Sequence, residues 1–158
     1  MSGTIPHTPE AMRHEHEELH AALAHATHAG GRTAAAAAEV ARLLHAHFVK
    51  EEAFALPPLG LLPALAQGKV EAGMAAVLTM TDRLAAEYEH MLAEHKGIVA
   101  ALAKLAAAAK DEGKPEVARF AEQLTAHART EEEVSYPTAL LIGRYLKATL
   151  PRGKHKAA

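Results

Sequence analysis

Residues 44–57, LHAHFVKEEAFALP, align without a gap to residues 124–137, LTAHARTEEEVSYP. His47 and His127 stand 80 positions apart, and Glu51 with Glu131, Glu52 with Glu132 and Pro57 with Pro137 keep the same offset. The apolar neighbours follow: Val40 pairs with Phe120, Leu44 with Leu124 and Phe54 with Val134. Four residues turn an α-helix roughly 40° past a full revolution, so each histidine shares a face with the glutamate that follows it. That face is otherwise an apolar stripe, where a charged carboxylate is costly unless something compensates it.

A second repeat runs at nearly the same offset. MRHEHEELHAAL (residues 12–23) aligns with MLAEHKGIVAAL (residues 91–102), which puts His16 over His95, 79 positions away. Met12 falls on Met91, Glu15 on Glu94, Leu19 on Ile98 and Leu23 on Leu102, an inward stripe with a histidine in its middle. The chain therefore reads as two copies of one helical hairpin, each with a histidine on its first helix and an H-x-x-x-E pair on its second. Packed about a pseudo-two-fold axis, the copies aim four imidazoles and two carboxylates at one region of a bundle core. Without a cation the two carboxylates would repel one another strongly. A pair of divalent or trivalent ions makes the burial favourable, and nitrogen and oxygen donors without sulfur suit iron, manganese or zinc.

The rest of the sequence supports an all-α chain. It is 49% hydrophobic but only 4% aromatic, so its apolar mass is largely Ala, Leu and Val, and alanine is the strongest helix former. Thr8-Pro9 reads as a helix start, with Thr8 as N-cap, and Gly30-Gly31 as its end near His28. A second helix is predicted after Thr33, running to Leu56 before Pro57-Pro58. A connection leads to a helical segment near Val70, which either continues or breaks near Thr79–Thr81 into a long helix. That helix ends at DEGK. A fourth starts at Pro115 and runs to about Tyr136, Pro137 kinks or ends it, and TALLIGRYLKATL forms a fifth. The expectation is an up-down-up-down four-helix bundle with an additional C-terminal helix, one domain over residues 1–150, and a frayed basic tail over residues 151–158.

Composition narrows the function classes. A net charge of −2 leaves no broad basic field for nucleic acid. No apolar run reaches membrane-spanning length, the N-terminus lacks the apolar stretch of a secretory signal, and there is no cysteine, so a cytoplasmic protein is the expectation.

These motifs, EHEEL, HFVKEE, EHKGI and HARTEE, resemble the hemerythrin-like (HHE cation-binding) domains over residues 11–137. The resemblance implies a non-haem centre of two iron ions with bridging carboxylates and a bridging oxo or hydroxo group. Carried over position by position, the ligands are His16, His47, Glu51, His95, His127 and Glu131, with Glu51 and Glu131 bridging. One departure matters: the oxygen-carrying members have a further histidine four residues before the one on helix three, and here that place is Met91. A more open site favours redox chemistry on hydrogen peroxide or nitric oxide, with O2 also in view, over simple O2 carriage. Catalase-, peroxidase- or nitric oxide-reducing activity is one outcome, with an electron donor yet to be named. A non-catalytic O2- or iron-binding sensor is the other. Tyr88, seven residues before His95, and His20, one turn after His16, are candidates for an added ligand. His14, His25, His45 and His90 read as solvated. Glu15 and Glu94 read as surface charges, and Glu52, Glu132 and Glu133 as surface groups or supports of ligand histidines. The chain is expected to be a monomer or weak oligomer.

Overall fold

A computed structural model describes residues 6–151. Among them every regular element is helical. The long elements are α1 (Glu10–Thr27), α2 (Gly31–Lys50), α4 (Leu78–Asp111), α5 (Pro115–Thr130) and α6 (Tyr136–Thr149), with a short α3 (Leu62–Ala66) in the connection between α2 and α4. Helix α1 packs on α2 and α5, and α4 packs on α2, α5 and α6, closing a four-helix ring. None of these helices is long and apolar enough to cross a membrane.

The ends of the elements correct several expectations. Thr8 does not cap: α1 begins at Glu10, and the Pro9 carbonyl accepts the first amides, those of Met12 and Arg13. Helix α2 begins at Gly31, two residues before Thr33, because its cap comes from across the bundle. The Glu112 carboxylate accepts the Arg32 amide at 3.1 Å, the Thr33 amide at 2.7 Å and the Thr33 hydroxyl at 2.6 Å. An anion at the positive end of the helix dipole satisfies amides that α2 leaves unpaired, and those bonds hold Glu112 at a pKa of about 2. The segment near Val70 is not an α-helix; a 3₁₀ turn over Ala72–Val77 leads directly into α4.

Both H-x-x-x-E helices change pitch at the glutamate. Glu51–Ala55 and Glu131–Ser135 are π-helical turns. In each, the amide of the fifth residue on bonds back to the glutamate carbonyl: Leu56 to Glu51 at 2.9 Å, and Tyr136 to Glu131. Such single π turns are frequent at functional sites. Past the first turn the two copies diverge. Pro57-Pro58 pass into a 3₁₀ turn, Pro57–Leu61. Pro137 neither ends nor separates its helix, since it sits in the first turn of α6, where a missing N–H costs least. The C-terminal helix is thus present, but it continues α5 through the π turn with no loop. It lies close to α4 at Gly143, where a β-carbon would meet the side chain of Thr81.

Two apolar clusters fill the bundle. One contains Leu19, Leu23, Val40, Leu44, Ile98, Leu102, Phe120 and Leu124. The other contains Phe54, Leu56, Leu84, Met91, Ile142 and Leu146. The repeat fails at one apolar pair: Phe54 is buried, but Val134 is 56% exposed. The buried polar residues His16, His47, Glu51, His95, His127 and Glu131 lie on the same helices as these clusters, on stripes that are otherwise apolar.

Candidate metal centre

The six residues picked out by the repeat converge, and all are at least 91% buried. They form two groups, His47, Glu51 and His95 on one side and His16, His127 and Glu131 on the other. Within each group the donor atoms lie within 4.8 Å of one another. The histidines meet through their Nε2 atoms, His47 to His95 at 2.7 Å and His16 to His127 at 3.1 Å. Glu51 Oε1 is 3.0 Å from His47 Nε2, and Glu131 Oε1 is 3.1 Å from His127 Nε2.

Each carboxylate also reaches the opposite group. Glu51 Oε2 lies 3.8 Å from His16 Nε2, and Glu131 Oε1 lies 4.0 Å from His95 Nε2. Glu51 Oε2 and Glu131 Oε2 are buried with no hydrogen-bond partner. Two orphaned carboxylate oxygens facing a ring of imidazole nitrogens, deep in a bundle, are the arrangement that a cation relieves. Donors around one ion, at metal–ligand distances near 2.0–2.2 Å, stand about 3–3.5 Å apart, and the 2.7–3.1 Å separations here lie close to that. The residues therefore fit metal ions.

The electrostatics of the two carboxyls show the same strain. Burial alone would raise the Glu51 carboxyl, but hydrogen bonds from His47, His95 and Glu131 hold it well below the usual carboxylate range. Glu131 goes the other way: burial, then the charge of Glu51, pushes it well above that range. The two carboxyls thus titrate apart, as like charges in one buried site do. Burial also lowers the pKa of His16, which favours the neutral imidazole that ligates metals.

Two of the outward ring nitrogens are held by carboxylates from other helices. His95 Nδ1 is 3.0 Å from Glu132, and His127 Nδ1 is 2.9 Å from Glu15. Such bonds fix the tautomer that presents Nε2 inward. His47 Nδ1 makes no hydrogen bond; Glu94, which Lys50 binds at 2.8 Å, lies 3.8 Å from it. Glu15 and Glu94 are therefore not idle surface charges. Each stands directly before a histidine in both repeats, and that is the signal that marks them. Glu52 and Glu133 are exposed, as are His14, His25, His45 and His90.

Neither candidate for an added ligand joins a group. His20 is exposed and rests on Phe48, with ring centroids 4.4 Å apart. Tyr88 is half-buried behind Tyr136, 6.4 Å away between centroids. The oxygen near the metal-binding atoms belongs to Tyr136, which the sequence pattern passes over. Its hydroxyl donates to Glu51 and lies 3.1 Å from His47 Nε2 and 3.2 Å from His95 Nε2. Five residues of α-helix would carry Tyr136 about 140° round from Glu131; the π turn sets it one turn above instead. In the metal-free protein, burial and the nearby Glu51 and Glu131 carboxylates push this phenol far above its usual range, so it is a proton donor.

On the other side, His16 lines an open cavity of about 850 Å³, together with Arg13, Glu17, His20, Glu52 and Ala53. That cavity abuts the centre at His16, on the α1 side.

A helical bundle with two inward His/Glu groups defines a metal-binding protein of the carboxylate–histidine kind. Comparison with family models bears this out: residues 7–139 match the hemerythrin HHE cation binding domain, and the chain belongs to that family. No curated protein and no solved structure matches it significantly.

Proposed function

We propose that the two groups hold two iron ions, one on His47, Glu51 and His95 and one on His16, His127 and Glu131, bridged by the two glutamates. The centre then turns over a small oxidant, with hydrogen peroxide favoured. The observation that carries this reading is the placement of both carboxylates within reach of both histidine pairs, with an orphaned oxygen on each. When bound, such a pair of ions and its bridging oxo or hydroxo group supplies two-electron redox chemistry.

The chain's own residues supply the rest. Glu132 and Glu15 hold two of the four imidazoles in register. Leu84, Met91 and Phe54 wall off the far side, and the His16 cavity admits a molecule of peroxide size. Disproportionation, two H2O2 to two H2O and O2, needs no outside reductant, whereas nitric oxide reduction needs an electron donor. That difference favours peroxide.

A second reading, a sensor of O2 or iron, has one observation in its favour. Leu141 (64% exposed) and Tyr145 (42%) leave apolar surface on α6, which a partner would cover. The discriminating experiment loads the purified protein with iron and measures metal content, then O2 release from peroxide and consumption of nitric oxide. Two irons per chain with O2 release that is lost in His47→Ala supports the enzyme. A stable O2 adduct without turnover supports the sensor. Failure to bind iron in any ratio sinks both.

A further inference from the structure

The two metal groups are related by the repeat, but they are not chemically equal. The difference lies at the first residue after each π turn. In the second hairpin it is Tyr136, and in the first it is Leu56, 80 positions earlier. Both amides bond back to the glutamate carbonyl, so both side chains leave the helix at the same point of the turn. One carries an oxygen donor and the other carries none.

We propose that Tyr136 is a fourth protein ligand, through Oη, to the ion held by His47, Glu51 and His95. The inference rests on the di-iron reading above and deepens it. The geometry is that of a donor set and not of a lone hydrogen bond. Tyr136 Oη stands 3.1 Å from His47 Nε2, 3.2 Å from His95 Nε2, and in hydrogen-bond contact with Glu51 Oε1. His47 Nε2 is in turn 3.0 Å from Glu51 Oε1. A phenol that only donated to Glu51 would need one partner; this one faces three metal-binding atoms at once. A ring stack on His95, centroids 5.5 Å apart at 29°, holds it there, and the side chain is wholly buried. Phenolate oxygen and imidazole are donors that Fe(III) prefers. On coordination the Oη–iron bond forms and the phenol O–H bond breaks. The proton leaves to solvent with those that metal binding releases, and no electron moves.

The two ions then differ in exchangeable positions. The ion beside Tyr136 is closed by the phenol and an apolar wall, and the ion beside His16 faces the cavity. Exogenous peroxide is bound on the His16 side.

The test uses the full chain loaded with Fe(III). Iron content is measured, followed by visible absorption and resonance Raman spectra of the wild type and of Tyr136→Phe, Tyr88→Phe and Tyr145→Phe. The wild type is expected to show a phenolate-to-iron charge-transfer band with enhanced tyrosinate ring modes. Tyr88→Phe and Tyr145→Phe keep both, and Tyr136→Phe binds the same iron without them. Because the chain has three tyrosines, persistence of the modes in the other two variants assigns them to Tyr136 even if Tyr136→Phe does not fold. Two irons per chain with no tyrosinate modes overturns this inference alone and leaves the di-iron reading standing, as does loss of the modes in Tyr88→Phe or Tyr145→Phe. A chain that binds no iron overturns the di-iron reading, and this inference with it.

Discussion

Glu131→Gln is expected to stabilise the metal-free protein and to weaken its hold on metal. In the absence of a cation, Glu131 is a buried carboxyl whose Oε2 has no partner and whose pKa is raised by burial and by Glu51. Gln keeps the shape and removes the need to take up a proton on folding. Relief of one buried, unsatisfied, charge-opposed oxygen is worth about 1–3 kcal/mol, or a Tm higher by roughly 2–10 °C for a chain of this size. The sign with pH follows from the same shift. A carboxyl whose folded pKa lies above its unfolded value stabilises the fold below the unfolded value, near 4.5, and loses that contribution as pH rises through the folded one. Chelator-treated wild type should therefore lose this contribution as pH rises above about 4.5, and the Gln variant should lack that slope. Glu51 acts in reverse: its lowered pKa gives stability that is present above 4.5 and lost in acid. Metal at a hundredfold excess over its Kd should raise wild-type stability by about 2.7 kcal/mol, and the variant should gain much less. Thermal unfolding with and without chelator, from pH 4 to 8, reads all of this. A metal-free Glu131→Gln protein less stable than wild type, with its metal gain intact, would refute the reasoning and make Glu131 a structural residue.

Removing a carboxylate that orients a ligand histidine, by Glu132→Ala or Glu15→Ala, should weaken iron binding about 10–100-fold at unchanged helix content, measured by competition with a chelator. Ala53→Trp, at the cavity wall, should slow the binding of azide to the iron-loaded protein in stopped-flow absorbance without changing iron content. Gly143→Val should cost about 1–3 kcal/mol in urea unfolding, since a β-carbon there meets Thr81. Gly97→Ala, in α4 with open space around it, should instead gain about 0.8–1 kcal/mol.

The bundle and its six converging donors were legible in the sequence because both are local periodicities. An H-x-x-x-E pair shares a helix face whatever surrounds it, and a gapless repeat at 80 residues brings the two copies together without knowledge of any loop. Helix ends were less legible wherever the partner lies far along the chain, as with the Glu112 carboxylate that caps α2 from 79 residues beyond Thr33. The supports Glu15 and Glu132 reach histidines on other helices, so spacing within one helix says nothing about which imidazole each one holds.

Tyr136 shows the division most clearly. Counting at 3.6 residues per turn turns it away from Glu131, and Tyr88 falls nearer the face of His95. One π turn adds a residue to the loop of backbone and brings Tyr136 over the glutamate, while Tyr88 is left behind it. The sequence by itself determined which side chains are available to hold a cation, because ligand type and helical repeat are written in residue order. Only the tertiary structure decided which oxygen stands among them and which side opens to solvent, because both depend on a local change of helix pitch and on what packs across the bundle.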